Sequence, residues 1–191
     1  MRVFLAFSIA DEAQSALLAA IQRLEPLTSD VKWCGREQFH VTLAFLGEIS
    51  PPILSHVRAA ADRVCASTPP FLCRARGLGF FGTKRFPQTL WAGIDPAPEL
   101  AELRERLWSE FKRFGLKNAE PGFRPHVTLG RCRENANGRG LTDAIGAEAA
   151  AEFGAWTVTR VTLYESRPTP RGAVYRTLSR STLGASPALN R

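Results

Sequence analysis

The tetrapeptide His-Val-Thr-Leu occurs twice in this chain, as His40–Leu43 and again as His126–Leu129. Each copy lies in an apolar, β-branched run that is typical of a β-strand. Successive side chains of a strand point to opposite faces, so the histidine and threonine share one face while the valine and leucine share the other. The repeat therefore predicts two strands, each with one buried apolar face and one face that presents an imidazole and a hydroxyl.

The repeat holds two of the three histidines in the protein. A single histidine in a strand is more often structural than catalytic, but packing alone gives little reason for the same three residues to follow it at both places. We therefore interpret His40 and His126 as functional. The third histidine, His56, lies in a helical pattern without such context and is interpreted as a surface residue.

Two imidazoles that face one groove can divide acid and base catalysis, because imidazole titrates near neutral pH. The hydroxyls of Thr42 and Thr128 are suited to the non-bridging oxygens of a phosphodiester. Phosphoryl transfer depends mainly on positioning and on charge stabilisation during in-line displacement. Such a groove needs no metal, so we expect no cofactor and no metal site.

Strand-like and helical runs alternate along the chain, with one copy of the repeat in each half. The strands are expected at about 2–9, 39–46, 71–80, 88–94, 126–132, 155–165 and 173–179, and the helices at about 12–25, 52–66, 98–114 and 141–151. This arrangement predicts an α+β fold of two pseudo-symmetric lobes, each an antiparallel sheet with helices on its outer face. The active-site cleft would lie between the lobes.

Length and composition limit the possibilities further. The chain of 191 residues with 45% hydrophobic content is long enough for one core, which we assign to a single domain over residues 1–180. Residues 181–191 are expected to form a flexible tail. A formal net charge of +7 favours a polyanionic partner such as RNA.

The remaining expectations concern location and assembly. The four cysteines are scattered without metal-ligand spacing, so we expect reduced thiols in the cytoplasm. The apolar run at Val3–Ala10 ends at Asp11 and is interpreted as a first strand, and no segment is long enough to cross a bilayer. We expect a monomer that does not bind membranes.

The two motifs and their surroundings resemble the RNA 2′,3′-cyclic phosphodiesterases, historically called 2′-5′ RNA ligases, of the two-histidine phosphoesterase superfamily. The resemblance is carried by Met1–Phe7, Val31–Trp33, His40–Gly47, Leu90–Gly93, Arg124–Arg131 and Thr162–Ser166, and it continues to Gly172 and Tyr175. It implies a hydrolase that opens an RNA-terminal 2′,3′-cyclic phosphate to a 2′-phosphate. The same site run in reverse can join RNA ends.

The resemblance also implies roles for individual residues. His40 corresponds to the proton donor to the leaving oxygen and His126 to the proton acceptor from water, while Thr42, Thr128 and Arg131 bind the substrate. Arg131 conflicts with ideal alternation, since its odd offset from His126 places it on the buried face. Gly130 permits a bulge or a strand end that would return Arg131 to the groove; otherwise Arg131 is an edge residue in a surface ion pair.

Three alternatives stay open at this stage. A relative with the same catalytic core could act on small cyclic nucleotides or on ADP-ribose cyclic phosphate. A non-catalytic RNA-binding module would retain the basic charge, but it gives no reason for two histidines in register. A metal-dependent hydrolase lacks third and fourth ligands near the motifs, and sensitivity to a chelator would support it.

Overall fold

A computed structural model describes residues 1–118, 122–134, 138–169 and 172–184. Within these residues the elements are β1 (Arg2–Ser8), α1 (Asp11–Leu24), β2 (Val31–Trp33), β3 (His40–Glu48), α2 (Pro51–Ala66), β4 (Phe71–Gly82), β5 (Pro87–Ile94), α3 (Pro98–Lys112), β6 (His126–Cys132), α4 (Arg139–Ala147), β7 (Glu152–Val158), β8 (Arg160–Thr169) and β9 (Gly172–Thr182). Short 3₁₀ turns occupy Glu25–Leu27 and Arg36–Gln38.

The helices begin where local chemistry favours a helix N-terminus. Proline opens α2 at Pro51 and α3 at Pro98, where its fixed φ and missing N–H are tolerated. Acidic Asp11 and Glu12 occupy the first turn of α1, next to the positive end of the helix dipole. All four predicted helices are present, with ends that differ by a few residues from the expectation.

The strand prediction was wrong at two places. The run expected at 155–165 is two strands, β7 and β8, separated at Thr159. The three-residue strand β2 was not expected, because three residues are too few to show alternation. It pairs antiparallel with β6, from Val31 opposite Cys132 to Trp33 opposite Gly130.

All strands pair antiparallel in the order β7-β4-β5-β6-β3-β1-β8-β9, with β2 added on β6. The strands β3, β1, β8 and β9 form one lobe, and β6, β5, β4 and β7 form the other in the equivalent order. The lobes join where Val41 of β3 pairs with Val127 of β6. These valines hold the same position in the repeat, so the pseudo-two-fold axis passes between them.

The hydrophobic core lies between the sheet and the helices. Val41, Leu43, Val127 and Leu129 are at most 1% exposed and point into this core. Fully burying one such side chain contributes roughly 1.5–3 kcal/mol. Helix α2 packs on β8 and β9 of the first lobe, and α4 packs on β4 of the second. The opposite face of the sheet is thereby left for the cleft.

The chain remains packed beyond the domain end predicted at residue 180. Strand β9 continues to Thr182, and the Ser181 hydroxyl donates to Oδ1 of Asp62 at 2.6 Å. Leu183 is 4% exposed, and the Gly184 N–H donates to the Cys65 carbonyl at 3.0 Å. The boundary was therefore placed too early, because β8 offers a pairing edge up to Arg160. Residues 185–191 of the predicted tail lie outside the described residues.

No helix in the described part of the chain is both long and apolar enough to span a bilayer.

Candidate active site

The structure brings the five predicted site residues together in one cavity of about 970 Å³ between the two lobes. His40 and Thr42 project from β3, and His126 and Thr128 project from β6. Because β3 and β6 are neighbours that diverge from the Val41–Val127 pair, the two motifs face each other across the cavity. Arg131 lines the same cavity.

A β-bulge explains why Arg131 faces the cleft despite its odd offset from His126. Along β6, Trp91 pairs with Thr128 and Leu90 pairs with Gly130, so Leu129 is the extra residue. The bulge shifts the alternation of side-chain faces by one residue, so Arg131 returns to the face that carries the histidine. The bulge alternative allowed by Gly130 is the one observed. A Cβ at Gly130 would lie 2.6 Å from Cγ1 of Val31, so glycine also allows β2 to approach.

The same bulge occurs in the other lobe. Along β3, Ala6 pairs with Thr42 and Leu5 pairs with Ala44, so one residue is again skipped. The residue five positions after His40 therefore also returns to the cleft, and this residue is Phe45. Its ring lies 4.9 Å from the guanidinium carbon of Arg2. The pseudo-symmetry thus places an aromatic ring in one lobe where the other has Arg131.

Each histidine is oriented by a backbone carbonyl two residues earlier. Nδ1 of His40 lies 2.7 Å from the carbonyl oxygen of Gln38, and Nδ1 of His126 lies 2.8 Å from that of Arg124. A carbonyl only accepts hydrogen bonds, so Nδ1 carries the hydrogen in both rings. In the neutral rings the lone pair is then on Nε2, which is the nitrogen that can exchange a proton with substrate.

The carbonyl that orients His40 is itself held in place. Gln38 ends the 3₁₀ turn Arg36–Gln38, and its side-chain oxygen accepts the Gly35 N–H at 3.0 Å. Its side-chain nitrogen donates to the carbonyl of Ala173 at 3.1 Å. The turn before β3 is thereby tied to β9 across the first lobe, and this fixes the direction of the His40 ring.

Aromatic rings pack against both imidazoles in matching geometry. The Tyr175 ring meets His40 edge-on with centroids 5.2 Å apart, and Phe81 meets His126 edge-on at 5.1 Å. Phe4 also lies against His40 at 5.0 Å. Neither Phe81 nor Phe4 was singled out from the sequence as a site residue. In a strand the side chain of Phe4 points away from the face shared by the apolar Val3 and Leu5, and this alternation was the sequence signal that could have identified Phe4.

Burial lowers the pKa of His40 from 6.5 to about 4, because the ring loses hydration. The hydrogen bond to Gln38 opposes this effect, whereas the positive charges of His126 and Arg131 lower the pKa further. In the free protein, His40 is therefore neutral at pH 7.

The guanidinium of Arg131 is available to a ligand. Its nearest polar partner is Oγ1 of Thr89, at 3.4 Å, which is a long hydrogen bond. Among the described residues, no carboxylate forms an ion pair with it. The alternative in which Arg131 serves only a surface ion pair therefore has no partner in the described part of the chain.

Metal ligands are sparse around the cleft. The described residues contain no cluster of three or more His, Cys, Asp or Glu side chains able to hold a metal ion. Cys34, Cys65, Cys73 and Cys132 are free thiols.

Two pseudo-symmetric lobes with one His-x-Thr strand each, facing a shared cleft, define a two-histidine phosphoesterase. The family model of the 2′-5′ RNA ligase superfamily matches residues 9–169, and the chain belongs to this superfamily. Sequence relatives named RNA 2′,3′-cyclic phosphodiesterase agree with this. One from Methanothermobacter thermautotrophicus is 30% identical over 92% of this chain and 95% of its own. Another from Thermotoga maritima is 28% identical over 93% of each chain.

Solved structures show the same fold. A protein of Thermus thermophilus superposes with a TM-score of 0.82 at 28% identity, covering 97% of this chain and 99% of that one. LigT of E. coli, crystallised with 3′-AMP, superposes with a TM-score of 0.77 at 25% identity and covers 95% of this chain and 97% of its own. The predicted α+β fold of two lobes and the predicted family are both confirmed.

Proposed function

We propose that this protein hydrolyses RNA-terminal 2′,3′-cyclic phosphate to a 2′-phosphomonoester by paired-histidine acid/base catalysis. The observation that carries the proposal is the duplicated geometry of His40 and His126. Both rings line one cleft, and the Nδ1 atom of each is held by an equivalent carbonyl. The relatives named RNA 2′,3′-cyclic phosphodiesterase support the same chemistry.

In the proposed reaction, a water oxygen attacks phosphorus while Nε2 of His126 accepts a proton from that water. The bond from phosphorus to the 3′ oxygen breaks, and His40 donates a proton to this leaving oxygen. The hydroxyls of Thr42 and Thr128 donate to the non-bridging oxygens, and Arg131 balances their negative charge. Solvent then reprotonates His40 and deprotonates His126. For ligation, a 5′-hydroxyl takes the place of water: it gives its proton to His126 and bonds to phosphorus, the bond to the 3′ oxygen breaks as in hydrolysis, and the product is a 2′-5′ linkage.

The low pKa of His40 sets a condition on its role as proton donor. In the free protein the ring is neutral at pH 7, so its proton must be gained when the anionic substrate binds. A phosphodiester anion beside the ring favours the imidazolium form and offsets part of the burial effect. Substrate binding and protonation of His40 are therefore linked.

The roles of the histidines can be separated with substrates that differ in their leaving group. His40→Asn and His126→Asn each retain an amide N–H able to reach the carbonyl that orients the ring. We expect both to lower the rate on an RNA-terminal cyclic phosphate by roughly 10²- to 10⁴-fold. On a phosphodiester that releases 4-nitrophenol, His40→Asn should recover most of its activity, because this leaving group needs no proton. His126→Asn should stay impaired, because water still requires a base.

If the 4-nitrophenol substrate instead restored the activity of His126→Asn, the donor and acceptor roles of the two histidines would have to be exchanged. Full activity of both variants on the RNA substrate would disprove the catalytic site. Adding a chelator to the wild-type protein tests the metal-dependent alternative, and we expect the rate to be unchanged.

A second candidate function is hydrolysis of small cyclic nucleotides or of ADP-ribose cyclic phosphate. Structures of E. coli LigT with 3′-AMP and with NADP⁺ favour it, since they contain single nucleotides or dinucleotides. The ratio of kcat/KM on an oligonucleotide and on a cyclic mononucleotide distinguishes the two. A non-catalytic RNA-binding module predicts binding without turnover in the same assay.

We infer that the protein acts as a monomer in the cytoplasm. One chain supplies both histidines of the cleft, so the site is complete without a second copy. The four free cysteines suit a reducing compartment. Sedimentation at working concentration tests the monomer, and fractionation of the source cell tests the location.

A further inference from the structure

A second cavity, of about 470 Å³, lies next to the catalytic cleft on the same face of the sheet. We call it the side groove; it is lined by Ser8–Ala10, Trp156–Arg160, Thr162, Tyr164 and Arg180. Tyr164 links it to the catalytic cleft, because the centroid of its ring is 6.4 Å from that of His40. Ser8, at the other side of the groove, pairs with His40 in the sheet.

The side groove continues the inner face of the first lobe. Along β1, the side chains of Val3, Leu5 and Phe7 enter the core, so those between them face the cleft side. Across the β1–β8 pair, Phe4 lies opposite Tyr164 and Ala6 lies opposite Thr162. The cleft-facing side chains of β1 and β8 therefore lead from the catalytic cleft to the side groove.

The charge of the side groove is suited to a phosphate. Arg160 and Arg180 line it and are exposed, and no acidic residue is among the lining side chains. Within the described residues, neither arginine forms an ion pair. Ser8 and Thr162 add hydroxyl donors to the same lining. Guanidinium groups together with hydroxyl donors are the usual partners of phosphate oxygens.

The basic surface also continues beyond the groove. On β4, Phe71, Cys73 and Ala75 are buried in the core, so Arg74 and Arg76 are exposed on the opposite face. Strand β4 pairs with β7 there, and Leu72 lies opposite Thr157, which lines the groove. The groove is thus flanked by arginines from both lobes, as expected for a surface that follows a nucleic-acid backbone.

We propose that the side groove binds a backbone phosphate of the RNA chain that precedes the terminal nucleotide, with Arg160 and Arg180 as its charged contacts. This inference rests on the proposed function and specifies its substrate class. Oligonucleotides that end in a cyclic phosphate are then preferred over cyclic mononucleotides, because only the former have a phosphate to place in the groove.

The test compares wild-type protein with the double variant R160Q/R180Q on two substrates. One is a short oligonucleotide with a terminal 2′,3′-cyclic phosphate, and the other is the corresponding cyclic mononucleotide. We expect the double variant to lose on the order of tenfold or more in kcat/KM on the oligonucleotide. Its kcat/KM on the mononucleotide should remain at the wild-type value, because the catalytic cleft is untouched.

Salt dependence provides a second measurement. Each phosphate contact to single-stranded nucleic acid contributes a slope of about −0.7 to the plot of log affinity against log salt. Loss of this one phosphate contact should make the slope for the oligonucleotide shallower by roughly 0.7. The matched control is R63Q/R113Q, which removes the same charge from the helix face, where both arginines pair with Glu110. The control should keep the wild-type slope and oligonucleotide preference.

The outcomes distinguish this inference from the proposed function. If wild-type protein opens neither substrate, the proposed function fails and the groove inference falls with it. If it opens both and R160Q/R180Q keeps the oligonucleotide preference, only the groove inference is wrong. Equal losses on both substrates, or an equal loss in R63Q/R113Q, would also overturn it, since they show a general effect of charge.

Discussion

Replacing His40 with asparagine should make the free energy of unfolding less dependent on pH between about 6.5 and 4. The reason is that His40 is held neutral by burial against Phe4 and Tyr175. Asparagine cannot titrate, but its amide N–H can still donate to the Gln38 carbonyl. The variant therefore removes the titrating group while retaining the contact that orients this side chain.

The sign follows from proton binding in the two states. The pKa of His40 is about 4 in the folded protein and 6.5 when the chain is unfolded. Between these values the unfolded state holds more protons, so the free energy of unfolding falls as the pH falls. Above pH 6.5, His40 is neutral in both states and does not affect the free energy of unfolding. Below pH 4, the decrease in this free energy is complete.

The magnitude follows from the same shift. A lowering from 6.5 to about 4 corresponds to roughly 3.5 kcal/mol at about 1.4 kcal/mol for each pH unit. The ring keeps some contact with solvent in the cleft, so we expect a measured effect of about 2 kcal/mol.

Urea unfolding at several pH values between about 7.5 and 4 provides the assay, because the midpoint and slope give the free energy at each pH. As the pH falls over this range, the free energy of unfolding of His40→Asn should rise by about 2 kcal/mol relative to that of the wild-type protein. His56→Asn is the control, since His56 is exposed on α2 and stacks on Phe114. Identical pH dependence of wild type and His40→Asn would refute the buried neutral state of His40, as would an equal change in the control.

Three further outcomes are expected. Thr42→Val and Thr128→Val should each keep the far-UV circular dichroism spectrum but lower kcat roughly 10- to 1000-fold, as for other donors to a developing negative charge; wild-type turnover would reduce these threonines to strand formers. Arg131→Gln should lower kcat/KM on the order of 10- to 100-fold, whereas Arg133→Gln, two residues along, should leave it unchanged; equal effects would remove Arg131 from the site. The limb of the pH profile that reports His40 should lie at higher pH for kcat than for kcat/KM, because the bound anion favours imidazolium; coincident limbs would contradict that linkage.

The sequence predicted the parts of the site that depend on local alternation. His40 and Thr42 share a face because side chains alternate with a two-residue period in a strand. The same holds for His126 and Thr128, because their tetrapeptide has the same sequence. That these strands lie side by side is a long-range property. The repeat indicated two related lobes, but the pairing of β3 with β6 required the structure.

Features that depend on the exact position of a bulge, on backbone groups or on contacts between residues distant in sequence could not be predicted in this way. Arg131 depends on where the bulge falls, and Gly130 permits a bulge without specifying Leu129 as the extra residue. The carbonyls that orient the histidines are backbone groups, so no side-chain pattern reveals them. The packed segment after residue 180 depends on Leu183, one apolar residue whose core contacts are distant in sequence.

The two motifs share their geometry but not their surroundings, and this difference suits an acid and a base. The hydrogen bond of His40 to its carbonyl is partly buried, whereas that of His126 is exposed to solvent. The residue that returns to the cleft beyond the bulge is Phe45 in the first motif and Arg131 in the second. Both imidazoles pack on aromatic rings, but beyond the bulge the strand of His40 carries a phenyl ring where the strand of His126 carries a guanidinium. Two identical groups with different environments can hold different protonation states at one pH, which two-sided proton transfer requires.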